Sequence, residues 1–121
     1  MNQYDIDKQG EFSDIFKTIR KIICSYSHIK ELKNAKQTSY SNEYGVILMM
    51  RPKGKVYVVA FGFGSKLEDK YPMLQGSGKI VRHLYYKTVE EVDEVLLREI
   101  IEESFILGME KYEMKQLRKN M

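Results

Sequence analysis

Residues 44–63 read Tyr44-Gly45-Val46-Ile47-Leu48-Met49-Met50-Arg51-Pro52-Lys53-Gly54-Lys55-Val56-Tyr57-Val58-Val59-Ala60-Phe61-Gly62-Phe63. Two runs rich in β-branched, aliphatic and aromatic residues, 44–51 and 55–63, are separated by Pro52-Lys53-Gly54. Proline presets one turn torsion and glycine supplies positive φ, so an antiparallel hairpin is expected here. Downstream, residues 80–87 alternate Val81, His83 and Tyr85 against Ile80, Arg82, Leu84 and Tyr86, which reads as another strand. Upstream, residues 36–41 offer a weaker one.

Helical periodicity flanks the strands on both sides. Phe12, Ile15, Phe16, Ile19, Ile22, Ile23 and Tyr26 line one face at 3.6 residues per turn. After the last strand, Val89, Val92, Leu96, Leu97, Ile100, Ile101 and Phe105 do the same, and Thr88 followed by Glu91 fits a capping box. Glu90, Glu91, Asp93 and Glu94 at the start of this helix, and Lys111, Lys115, Arg118 and Lys119 at the chain's end, complement a helix dipole. Gly108 interrupts the pattern, and residues 109–121 read as an exposed helical extension. Residues 1–10, polar and without period, read as a loose arm. Strands grouped between terminal helices with one apolar stripe each indicate a single α+β domain of two layers. Its mainly antiparallel sheet is expected to carry the N- and C-terminal helices on one face.

Composition narrows the function. A chain of 121 residues has room for one core and no separate catalytic and substrate domains. Cys24 is the single cysteine and cannot form an internal disulfide, so a reducing, cytoplasmic setting is expected. Met1-Asn2-Gln3-Tyr4-Asp5 lacks the basic-then-apolar character of a secretory leader, and no apolar run approaches the roughly 18 residues of a membrane span. No membrane partner is expected. Cys24, His28 and His83 are too few for a structural zinc site. Ten Lys/Arg stand against six Asp/Glu in residues 1–60, and ten against eleven in residues 61–121. That asymmetry is too weak to indicate a nucleic-acid partner.

Gly76-Ser77-Gly78-Lys79 invites a phosphate-loop reading but fails it on spacing. Met73 and Ile80 stand where a Walker motif needs glycine and Ser/Thr, and a strand follows instead of a helix. Gly62-Phe63-Gly64 likewise lacks the third glycine of a dinucleotide fingerprint. What survives is a ligand-binding candidate made of Gly76, Gly78, Lys79, Arg82 and His83, in which approachable backbone N–H groups and cations hold a small anion. Side chains alternate along a strand, so Lys79 and Arg82 can act together only if the strand begins after Lys79. No carboxylate pair, Ser/His/Asp set or activated Cys/His pair emerges, and no cofactor is implied. The expectation is a non-enzymatic binding or adaptor domain for a small anionic ligand or a protein partner. The acidic start of the last helix, with Glu91, Glu94 and Glu99 or Glu102, offers an alternative site for a hard cation. A strand edge or the uncovered sheet face offers a route to homodimerisation.

From residue 55 onward the chain resembles the YdhG-like family, small bacterial domains of largely unknown function. The resemblance is carried by Lys66-Leu67-Glu68-Asp69, by Leu74-Gln75-Gly76-Ser77-Gly78-Lys79-Ile80-Val81-Arg82-His83-Leu84, and by Val89-Glu90-Glu91-Val92-Asp93. Glu43-Tyr44-Gly45-Val46-Ile47 keeps the family's aromatic and glycine before the second strand but lacks its proline. The resemblance implies a domain similar to frataxin in layout, and an alternative role as an iron chaperone in iron–sulfur assembly, described for some relatives. The first helix departs from a frataxin-type acidic ridge, having Glu11 and Asp14 among Lys17, Arg20 and Lys21.

Overall fold

A computed structural model describes residues 1–120. In chain order the elements are α1 (Gln3–Gln9), α2 (Ser13–Cys24), β1 (Lys30–Lys33), β2 (Thr38–Asn42), β3 (Gly45–Lys53), β4 (Val56–Phe61), α3 (Gly64–Leu67), β5 (Arg82–Tyr86) and α4 (Glu94–Lys119). The strands form one antiparallel sheet in the order β1-β2-β3-β4-β5. Cross-strand rows running Tyr40–Leu48–Phe61–Arg82 and Thr38–Met50–Val59–Leu84 point to the helix side. There they meet Phe16, Ile19 and Ile23 of α2 and Leu97, Ile100 and Ile101 of α4 in one core. The expected two-layer α+β architecture, with the terminal helices on one sheet face, is the observed one.

The hairpin forms, but its turn lies two residues later than proline and glycine suggested. Lys53 pairs with Val56, and Gly54, at φ +61°, turns the chain with Lys55. Pro52 lies inside β3 opposite Tyr57. It is tolerated because the β2 pairing ends at Met50, leaving Pro52 no neighbour on that side. The weak strand is real and has a companion, β1, that periodicity missed because its Lys-Glu-Leu-Lys sequence is an edge that turns the charged Glu31 and Lys33 toward the helices. Asn34 closes the β1–β2 turn, its Oδ1 accepting from the N–H groups of Lys36 and Gln37. The capping box at Thr88 and Glu91 also exists, yet it closes a single tight turn. α4 itself starts at Glu94, capped by Asp93 Oδ1 accepting from Leu96 N–H, and runs unbroken through Gly108.

The first ten residues are not a loose arm. α1 is capped by Asn2, whose side chain accepts from Asp5 N–H, and it buries Tyr4 and Asp7. Asp7 receives hydrogen bonds from Gln3 Nε2 and Tyr57 OH, both at 2.7 Å, while the Tyr4 ring meets Phe16 edge-on at 5.4 Å. An aromatic and a satisfied carboxylate anchor the helix, so no apolar stripe announces it. Burial pushes the Asp7 carboxyl above its ordinary range, against the opposing effect of the Tyr57 and Gln3 hydrogen bonds.

A second carboxylate ties α2 to the far edge of the sheet. Glu31 accepts from Arg20 Nε at 2.7 Å, Arg20 Nη2 at 3.2 Å and Tyr40 OH at 2.8 Å. Burial alone would raise its pKa, but the hydrogen bonds from Arg20 and Tyr40 outweigh it and hold Glu31 below its ordinary 4.5. A depressed carboxylate pKa contributes stability above the unfolded value, and that stability is lost as pH falls through the folded one. Arg20 is partly exposed, so the contribution is discounted for solvent screening. Glu31→Gln is expected to lower unfolding free energy by about 1 kcal/mol at neutral pH. The deficit should fade below pH 4.5 in paired urea titrations of wild type and variant.

Candidate functional site

Close backbone approach at the end of β4 builds the local scaffold. A Cβ on Gly62 would collide with the Val46 carbonyl of β3, and one on Gly64 with the backbone of Arg82 at the start of β5. The Gly62-Phe63-Gly64 motif therefore serves packing. It lets the chain leave the sheet and lay α3 against the segment preceding β5, where Ser65 N–H donates to Ile80 C=O at 2.8 Å.

Within that segment the five anticipated residues separate. Arg82 faces the helix side and is buried. Its Nε donates to Glu68 Oε2 at 2.8 Å and its Nη1 to the carbonyls of Val81 and Gly78. The Arg82 hydrogen bond in turn holds the Glu68 carboxyl below its ordinary range. Arg82 is thus a clasp on the glycine loop, its Nε and Nη1 donors engaged within the protein. Gly76, at φ +133°, lets the loop fold back, for a Cβ there would lie 3.3 Å from His83 Nδ1. The fold-back is sealed by paired backbone hydrogen bonds between Gln75 and His83. His83 itself points to the uncovered sheet face, stacked on Tyr85, and Gly78 is exposed, a Cβ there meeting only the Val81 carbonyl at 3.9 Å.

Lys79 goes elsewhere. β5 begins only at Arg82, so Lys79 sits in irregular chain and lines a cleft of about 260 Å³ with Ile80, Tyr44, Phe63, Lys66 and Lys111 among its walls. α4 can close one wall because Gly108 has no side chain. A Cβ there would lie 3.1 Å from Tyr44 Cβ and 3.4 Å from Phe63 Cζ. Tyr44 then rests against Tyr112, with ring centroids 5.4 Å apart. Three lysines thereby converge from α3, from the segment before β5 and from α4. Among the described residues none of the three forms a salt bridge.

Lys66 and Lys111 also line an adjoining groove of about 320 Å³, which continues along α4 past Leu107, Glu110, Met114, Lys115 and Arg118. Leu97, Ile101, Ser104, Gly108, Lys111, Lys115 and Arg118 follow one another at steps of four and three, so they share one helix face. The first four are buried and the last three are exposed. The stripe that anchors α4 to the core turns cationic where the helix passes the edge of the domain. Sequence reasoning assigned these basic residues to the helix dipole alone, and the four-three spacing was the signal that links them to the core face.

The acidic start of α4 is dispersed over other tasks. Glu91 accepts from backbone N–H groups at Thr88 and Lys87, and Glu94 pairs with Arg98 at 2.9 Å. Glu102 accepts from Tyr26 OH at 2.6 Å, and Glu103 pairs with Lys70 at 3.3 Å. No three Asp, Glu, His or Cys side chains gather as a ligand set among the described residues. No described helix is long and apolar enough to cross a membrane.

Neither a family model, nor a curated protein, nor a solved structure matches the chain. The clasp and the cleft are separable by substitution. Arg82→Ala, which strips the buried partner from Glu68 and two loop carbonyls, is expected to cost about 1–3 kcal/mol of stability. Lys79→Ala should change it by less than about 0.5 kcal/mol, as read by chemical denaturation.

Proposed function

We propose that the domain is a non-enzymatic binding module that recognises a small anionic ligand, or the anionic part of a protein partner, in the cleft of Lys66, Lys79 and Lys111. The observation that carries this reading is that three lysines from three separate elements, none in a salt bridge among the described residues, line one concave, partly aromatic surface. Three cations lining one concave surface give it a positive field that favours an anion. The lining includes no Asp, Glu, His or Cys, so what the cleft offers a ligand is charge and shape. A reducing cytoplasmic setting belongs to the same proposal, consistent with the unpaired Cys24. So does the resemblance to the YdhG-like family, whose Gly-Lys and Arg pattern we read as the clasped loop that presents Lys79.

The test is a thermal-shift and calorimetric comparison of pyrophosphate, citrate and a nucleoside triphosphate. A ligand at a hundredfold its Kd adds about 2.7 kcal/mol to folding, enough for a shift of several degrees in a domain of this size. The shift should shrink with added salt and vanish in Lys66→Ala/Lys79→Ala/Lys111→Ala. No shift with any of the three anions, or an equal shift in the triple variant, overturns the proposal.

A further inference from the structure

We infer that the groove running from this cleft along α4 takes an extended acidic segment of a partner protein, an inference that rests on the cleft's being an anion site. The cationic stripe supplies more charge than a small anion needs. Beyond the cleft, Lys115 and Arg118 continue the same face in the open, neither in a salt bridge among the described residues. Lys111 and Lys115 stand one helical turn apart, an axial separation of about 6 Å. Alternate side chains of an extended peptide repeat at about 6.6 Å. Carboxylates two positions apart on a peptide lying along α4 can therefore meet Lys111 and Lys115 together, with Arg118 about 4.5 Å further along the helix.

The rest of the lining selects among polyanions. Leu107 and Met114 flank the lysines, so apolar contact is available beside each charge. Glu110 stands among the cations, and an unbroken line of phosphates would meet its like charge, whereas a peptide can place a neutral or basic residue there. Single-stranded nucleic acid draws much of its affinity from bases stacked on aromatic rings, and this part of the groove has no aromatic residue in its lining. Charge complementarity combined with apolar contact favours an acidic peptide.

The experiment is fluorescence anisotropy with a labelled decapeptide of alternating Glu and Leu, beside oligothymidylate of equal charge and pyrophosphate measured by calorimetry. Wild type is expected to bind the peptide more tightly than the oligonucleotide. Lys115→Ala/Arg118→Ala should weaken the peptide at least tenfold while leaving pyrophosphate affinity within twofold, because those two residues lie outside the cleft. Lys66→Ala/Lys79→Ala should weaken both. Tighter binding of the oligonucleotide, unchanged peptide affinity in Lys115→Ala/Arg118→Ala, or peptide silence with pyrophosphate still bound overturns the inference and leaves the cleft intact. Failure of wild type to bind pyrophosphate, citrate and the nucleoside triphosphate alike removes both. Light scattering that finds a wild-type dimer dissolved by Lys115→Ala/Arg118→Ala would assign the groove to a second copy and equally overturn the inference.

Discussion

The candidate site depends on how closely two backbones can approach beside Phe63. Gly62 packs against the Val46 carbonyl and Gly64 against the backbone of Arg82, in space that no Cβ could share. Because the chain passes there without side chains, α3 starts directly at the sheet's end. It places Lys66 beside the irregular segment that presents Lys79, and it leaves Phe63 as the floor over which α4 passes at Gly108. A larger residue at Gly64 would collide with the start of β5, and one at Gly62 with β3, so either would disturb the base of the cleft.

The rest of the domain is held by ordinary apolar burial and by two carboxylates in uncommon places. Asp7 lies under Tyr57 and Glu31 under Tyr40, and each tyrosine is fully buried with its hydroxyl donated to the acid. Burial raises the pKa of both hydroxyls, as does the neighbouring carboxylate, so each remains a donor at physiological pH. These pairs fix α1 and the β1 edge, two elements with few apolar residues of their own. A buried polar group left unpartnered costs about 1–3 kcal/mol, so the pairings also select one arrangement of these segments.

α4 joins stability to the site. Over its first half one face is core. Over its second half the same face has left the core behind, and carrying Lys111, Lys115 and Arg118 it overhangs the loops instead. The helix needs no new element to build a groove, only a change of residue type along a stripe whose direction the core has already set.

Local chemistry was legible in the chain itself. Runs of β-branched and aromatic residues located β3 and β4, alternation located β5, and a period of 3.6 residues located α2 and α4, and with them the two-layer α+β class. α1 and β1 were invisible to periodicity since tyrosine, aspartate and glutamate anchor them through specific hydrogen bonds. The site divided in the same way. Gly76, Gly78, Lys79, Arg82 and His83 are neighbours in sequence, and proximity along the chain suggested one cluster. Tertiary structure sent Arg82 inward as a clasp, His83 to the uncovered sheet face and Lys79 toward Lys66 and Lys111. Which cations share a cleft is set by strand alternation, by where β5 begins and by how near α4 can come at Gly108, and each of these depends on contacts between residues far apart in the chain.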